Sequence, residues 1–337
     1  MRRTLMPLLF LLAPVLAAEP KVGEDAPRFK AGGNIVNPPE FARELPDCQG
    51  NVVLIMEWHA RDASAKDAAK VQAYWDKYSG RGLHVFTIFR LDFEKLLQVR
   101  KLAKSSKYTF PICMGGFYDE ANDFARYKAD SGFRTTVINI EGKVAFWGNA
   151  GWEAVLDREL ARCPYGSLPR EKVADPAKEA AKAFGDRKFG RALKQAERLL
   201  AAPPDDQTKA DLELICTKAR ELAEKRNERI KAWRADLRYD LVMPALDTMK
   251  DEFAEHELGE AAKKELFEIR KDKAAKDEIR AFDDLKKLVE RSESQGDEML
   301  VNALKAFARE QNTVRAGRLA TEMAKQLEAE IEETRKK

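Results

Sequence analysis

Four cysteines and three histidines are the residues of this 337-residue chain with obvious nucleophilic or metal-ligating chemistry. The cysteines are Cys48, Cys113, Cys163 and Cys216, and the histidines are His59, His84 and His256. Thiol–disulfide exchange needs an attacking thiolate, and a second thiol close by to resolve the mixed disulfide. No two of these cysteines fall in a C-x-x-C. Cys113 lies in the apolar run Phe110-Pro111-Ile112-Cys113-Met114, where burial raises a thiol pKa, and Cys48 precedes Gln49-Gly50. These two are the candidate residual thiols. The wide spacings admit one structural disulfide of open connectivity, or four buried small hydrophobes. The histidines stand singly, without partners at ligand spacing, so no metal and no cofactor is expected.

A second group of polar residues follows directly on an apolar run. Trp58, His59, Arg61 and Asp62 come after Val52-Val53-Leu54-Ile55-Met56. That run reads as a strand covered on both faces. Asp62 is a good helix N-cap, with Ser64 in the first turn. Helical spacing over 68–78 places Val71, Tyr74, Trp75 and Tyr78 on one side. A second buried strand is predicted over 83–89 and a helix over 93–104. The runs 135–140 and 144–147 flank Glu141-Gly142-Lys143 and read as a hairpin. Strand–helix–strand followed by a hairpin predicts an α/β sandwich with a mixed sheet flanked by helices.

The composition changes near residue 165. Pro164-Tyr165-Gly166-Ser167-Leu168-Pro169 reads as a connection, and almost everything from Asp175 onward reads as helix. Asp175-Pro176 is a predicted N-cap and N1 pair. A Gly185-Asp186 turn separates two helices, and Pro203-Pro204-Asp205-Asp206 caps the next. From Leu212 to Leu241 one apolar stripe steps by three or four residues and is interrupted at Arg226. It predicts one long helix that ends or kinks at Pro244. The segments around Phe253 and Phe307 form a weak repeat and predict two stacked hairpins with both phenylalanines in the core. The expected organisation is thus a leader over 1–18, an α/β domain over 19–163, a linker over 164–174 and an all-α helical-hairpin domain over 175–337.

Lys and Arg number 60 against 57 Asp and Glu, so the net charge is only +3. Nucleic-acid binding by counterion release needs a clearer basic surplus, so nucleic acid is not an expected partner. At the start, Arg2 and Arg3 precede a short apolar stretch, then small residues at Ala17-Ala18 and polar Glu19-Pro20-Lys21. This is the pattern of a secretory signal peptide, predicted to be cleaved near residues 17–18. Export to the periplasm or beyond follows as an expectation. No later stretch reaches about 18 apolar residues, so no membrane insertion is expected after cleavage.

Three segments within residues 22–155 resemble the thioredoxin-like superfamily, in its redoxin and secreted thiol-disulfide oxidoreductase branch. Val22-Gly23-Glu24-Asp25-Ala26-Pro27-Arg28-Phe29 is similar to the family's V-G-x-x-A-P-x-F opening. Gly50 to Trp58 (GNVVLIMEW) resembles its G-K-V-V-L-x-x-F-W strand. Gly132 to Val144 resembles its G-x-P-T-T-x-x-I-D-x-x-G-K-I segment. The resemblance implies a thioredoxin-like sandwich with its site after Trp58. Laid on the family's motif, Asp62 and Ala65 stand where the two cysteines would, and Arg134 stands where the family has a cis-proline. A non-proline cis bond costs about 3 kcal/mol, so a trans bond is expected at Arg134. The resemblance therefore implies a degenerate redox site. Its remaining polar residues, Trp58, His59, Arg61, Asp62 and Arg134, form a candidate surface for a peptide or anion.

The helical part resembles tetratricopeptide-like hairpins at Ala180, Phe184, Phe189, Ala192, Leu193 and Ala196 only. The expected function is an exported, non-catalytic binding or scaffold module that engages a protein partner through its helical domain. The alternative is a divergent thiol-disulfide oxidoreductase or thiol peroxidase that uses Cys113 or Cys48.

Overall fold

The computed structural model describes residues 20–31, 35–39, 41–42, 44–59, 64–90, 96–115, 127, 133–292 and 296–336. Six strands form one mixed sheet: β1 (Ile35–Val36), β2 (Val52–Trp58), β3 (Leu83–Arg90), β4 (Ile112–Gly115), β5 (Thr135–Ile138) and β6 (Val144–Gly148). Their order is β1-β4-β3-β2-β5-β6. β2, β3 and β4 run parallel, joined by α1 (Ser64–Tyr78) and α2 (Leu96–Ser105). β5 returns antiparallel beside β2, and β6 beside β5. The hairpin turn carries Gly142 at φ 81°, a left-handed conformation that glycine adopts without a Cβ penalty. α3 (Trp152–Ala161) follows.

The continuous apolar run of β2 has the expected cause. Val52, Leu54, Met56 and Trp58 enter a core shared with α1, α2 and α3, through Ala68, Val71, Val99, Ala103, Trp152 and Leu156. Val53 and Ile55 point to the opposite face. There they meet Ala26, Phe29, Ala42 and Cys48 from the N-terminal segment. So α1, α2 and α3 lie on one face, and the N-terminal segment, with the 3-10 turn Leu45–Cys48, covers the other. β1 had no signal in the sequence, being only two residues long.

The rest of the chain is helical: α4 (Lys178–Gly185), α5 (Phe189–Leu200), α6 (Asp206–Ala235), α7 (Tyr239–Glu252), α8 (Glu257–Lys271), α9 (Lys273–Ser292), α10 (Asp297–Glu310) and α11 (Arg315–Lys336). Asp205 caps α6 by accepting the Thr208 N–H at 2.7 Å. Asp175 is not an N-cap: it opens a 3-10 turn, Asp175–Ala177, that leads into α4. The long apolar stripe does not run on to Leu241. α6 ends at Ala235, Leu237 turns the chain at φ 56°, and the Arg238 N–H closes on the Trp233 carbonyl at 2.8 Å. That six-to-one bond is a Schellman closure, made here without glycine. Pro244 consequently lies inside α7 rather than at a helix end.

One core runs from Leu168 to Ala275, and a second joins α9, α10 and α11 through Phe282, Leu285, Leu304, Phe307, Ala316 and Ala320. Phe253 is fully buried and Phe307 nearly so. Residues 164–174, read as a linker, are packed chain: Leu168 is fully buried, and Ser167 bonds Asn51 through both its N–H and its hydroxyl. No described helix is long and apolar enough to cross a membrane.

Candidate functional site

Two poles of the sheet carry polar side chains. The first is the C-terminal end of β2, where the sequence places the candidate surface. Trp58 closes β2 and is 1% exposed. Its ring packs edge-on against Phe89 at 4.9 Å and Tyr108 at 5.7 Å. Trp58 is therefore a core residue, not part of a binding surface, because the alternation of β2 turns it toward the helices. His59 is half-buried and stacks on Phe89 at 6.0 Å. Arg134 lies across from Glu57, whose N–H bonds the Arg134 carbonyl at 2.9 Å. The Arg134 guanidinium donates to the Asn149 side-chain oxygen and to the Phe133 carbonyl. Among the described residues no peptide bond is cis. Ala65 is half-buried in the first turn of α1. Arg61 and Asp62 lie outside the described residues. The strand end thus brings together Trp58, His59 and Arg134, with only the last two presenting polar atoms.

All four cysteines are free and buried, so of the two readings the four small hydrophobes hold and the single disulfide does not. Burial pushes the Cys48 thiol well up, with the Asp47 carboxylate adding to the rise. Burial also raises Cys163 to about 11 and lifts Cys216. Cys113 sits in β4 with no exposure. None of the four lies at the start of α1, where a helix dipole would favour a thiolate. His256 caps α8 by accepting the Leu258 N–H at 3.3 Å. No cluster of three metal-ligating side chains occurs among the described residues.

The second pole is at the opposite ends of the same strands, about 20 Å along β2. There the helical part of the chain meets the sheet around a cleft of about 490 Å³. Asn51, Leu83 and His84, at the starts of β2 and β3, form its floor. Pro38, Pro39, Phe41, Trp75 and Pro111 give it rigid and aromatic walls. Asn37 fixes the proline segment by donating to the Tyr108 and Phe110 carbonyls at 2.9 and 3.2 Å.

α6 supplies the facing side with Lys218, Leu222, Lys225, Arg226 and Arg229, spaced so that one helical face carries them all. Arg229 pairs with Asp47 at 2.7 Å. Arg226 is 6% exposed, pairs with Glu252, and lies over the Phe41 and Phe189 rings at 4.5 and 5.5 Å. Arg187 shares the same Glu252 at 2.5 Å. His84 is held down to about 4, first by burial and then by the Arg187 charge, with Asp47 opposing. It is therefore neutral at pH 7 and offers a ring nitrogen rather than a positive charge.

The cleft draws on segments from residue 37 to residue 229, so no local motif announces it. One signal stood in the sequence: Arg226 breaks an apolar stripe. A charge on such a stripe is buried only with partners.

No protein-family model and no curated protein sequence matches the chain. Solved structures do. A protein disulfide isomerase candidate from Bacteroides thetaiotaomicron is 24% identical, over 43% of this chain and 91% of its own, at a TM-score of 0.36. The thioredoxin domain of a thiol-disulfide oxidoreductase from Bacteroides vulgatus is 15% identical, over 41% and 96%, at 0.33. A thiol:disulfide interchange protein from Bacteroides sp. is 15% identical, over 42% and 89%, at 0.33. The parallel β2-α1-β3-α2-β4 crossovers, the β5–β6 hairpin beside β2 and the closing α3 are properties of this chain itself. On that topology the part of the chain before the helical region has a thioredoxin-like fold.

Proposed function

We propose that this chain is an exported, non-catalytic binding module in which a thioredoxin-like unit supports a helical, protein-binding region. The observation that carries the reading is the placement of the thiols. All four are buried, and none lies at the strand-to-helix junction where exchange chemistry needs one. Ala65 stands in the first turn of α1 instead. Export rests on the basic, apolar and small-residue pattern over residues 2–18.

The experiment is a thiol titration with a small aromatic disulfide, native and then denatured, beside an insulin-reduction assay. The expected outcome is no fast-reacting thiol in the native protein, four after denaturation, and no reduction of insulin. Robust insulin or peroxide turnover that disappears in Cys113→Ser or Cys48→Ser establishes the oxidoreductase reading instead. N-terminal sequencing of exported protein checks the leader, with a start near Ala18 or Glu19 expected.

A further inference from the structure

We infer that the outer edge of β6, from Ala145 to Gly148, is a docking site where an extended, uncharged segment of a partner protein adds a strand to the sheet. The site belongs to the thioredoxin-like unit, so it goes beyond partner binding by the helical region and does not depend on it.

Open backbone is the first ground. β6 ends the strand order on one side and β1 on the other. The β1 edge is blunted: it is two residues long, and Asn37, Pro38 and Pro39 follow it, with Asn37 tied to the Tyr108 and Phe110 carbonyls. Among the described residues, the β6 edge is covered only at its start. There the Gly23 N–H bonds the Val144 carbonyl at 2.8 Å, and the Val144 N–H bonds the Glu24 carbonyl at 2.9 Å. Asp25 and Lys143 form an antiparallel bridge beside them, so this edge already accepts extended chain. At Gly23, φ 89°, that segment turns away, and the Glu24 N–H closes on the Lys21 carbonyl at 3.1 Å. From Ala145 to Gly148 no backbone hydrogen bond reaches a described residue outside β5. The register irregularity of the β5–β6 pair, between Val137 and Ile138, lies at the covered end. Phe146, Trp147 and Gly148 are paired regularly with β5 and open on the other side.

The side chains along this edge are the second ground. In a chain that is 35% charged, the stretch from Val144 to Trp152 holds no charged residue. Edge strands are ordinarily guarded by charges or proline, and β6 carries neither. Phe146 packs beside the core on the α3 side and Trp147 beside the core on the opposite face, both half-buried. An added strand thus meets an aromatic ring on each face of the sheet, where β-branched and apolar side chains pair well. Val22, 64% exposed, stands at the corner where the N-terminal segment leaves β6. Main-chain hydrogen bonds supply the affinity, and these three side chains supply the preference for an uncharged occupant.

The test uses the full mature chain and hydrogen-exchange mass spectrometry. The probe is a capped six-residue peptide with lysine at each end for solubility and threonine and valine between. Saturable binding with a Kd of about 1 mM or tighter, with exchange slowed over residues 144–149 and unchanged on α4 to α11, supports the site. The same peptide N-methylated at its central residues keeps its side chains and loses its donors. It is expected to bind about tenfold more weakly, as loss of a hydrogen bond or two does. Val22→Lys places a charge at the corner of the edge and is expected to weaken binding about threefold. Met299→Lys, which replaces a comparably exposed apolar side chain on α10, is the matched control and leaves binding unchanged. Absence of saturable binding overturns the inference. So does slowed exchange away from residues 144–149, equal binding of the N-methylated peptide, or equal effects of Val22→Lys and Met299→Lys. A free chain that is dimeric, with residues 144–149 already protected, also overturns it, because a second copy then holds the edge.

Discussion

His84 shows how a single residue ties the cleft end of the sheet to pH. It starts near 6.5 in an unfolded chain and is held at about 4 in the fold, through burial and the neighbouring Arg187. Between those values the unfolded chain binds a proton that the folded chain refuses. Stability linked to His84 is therefore complete above about pH 6.5 and is lost as pH falls toward 4. Chemical denaturation midpoints at pH 7, 6, 5 and 4.5 are expected to fall in the wild type. In His84→Gln the part of the slope lying between pH 6.5 and 4 is expected to flatten, while midpoints above pH 7 change little. An unaltered slope would mean that His84 charges freely in the fold. That Ala65, in the first turn of α1, carries no thiol was legible in the sequence and needs no coordinates. The cleft was not, because His84, Phe41 and Lys225 meet only after folding. Arg226 was the visible clue, and its partners Phe41, Phe189 and Glu252 come from three other segments.

At the scale of elements, strands and helices with strong patterns were read well, and turns without glycine were not. β2 and β3 begin where their apolar runs begin, at Val52 and Leu83. The break between α6 and α7 was missed because Leu237 fits the apolar stripe and gives no turn signal, although it adopts φ 56°. Conversely, Gly190 has a reason the sequence did not state. A Cβ there would meet the Ala254 carbonyl oxygen at 2.0 Å and the Phe253 carbonyl at 2.5 Å. α5 therefore rests directly on the backbone of the α7–α8 turn. Gly190→Ala forces two backbones apart and is expected to cost about 1–3 kcal/mol or more. Gly80→Ala meets nothing within 4 Å and serves as its control. Phe253 and Phe307 fall in different cores, with α9 contributing Ala275 to the first and Phe282 and Leu285 to the second. Truncating either phenylalanine to Ala is expected to cost about 3–5 kcal/mol. Thermal melts followed by helical circular dichroism measure both, and unchanged midpoints in both would remove the stacked-hairpin description.

Across the whole molecule, the sequence suggested two units joined by a loose connection, whereas the structure packs them together. A Cβ at Gly50 would lie 2.7 Å from the Ser167 backbone, and one at Gly166 would lie 2.7 Å from the Gly82 nitrogen. Those approaches bring the starts of β2 and β3 against the connection itself. Beyond it, Phe41 covers Arg226 and lies 6.3 Å from Trp233, while Asp47 holds Arg229. The segment carrying Phe41 and Asp47 also covers one face of the sheet, so it couples both cores. A cation–π contact of this kind contributes about 0.5–2 kcal/mol, and the half-buried ion pair adds a comparable amount. Four of the five tryptophans, Trp58, Trp75, Trp147 and Trp152, belong to the thioredoxin-like unit, whereas circular dichroism is dominated by α4 to α11. The two signals thus report on different parts of one chain. In the wild type their urea transitions are expected to coincide, as cooperative unfolding requires. In Phe41→Ala combined with Asp47→Asn, the contacts across the boundary fall while both cores keep most of their packing. The transitions are then expected to separate, with the fluorescence midpoint moving lower than the dichroism midpoint, because Phe41 and Asp47 stand on the segment that closes the sheet. Coincident transitions in the double variant would show that the backbone contacts of Gly50, Gly82 and Gly166 alone keep the two parts cooperative.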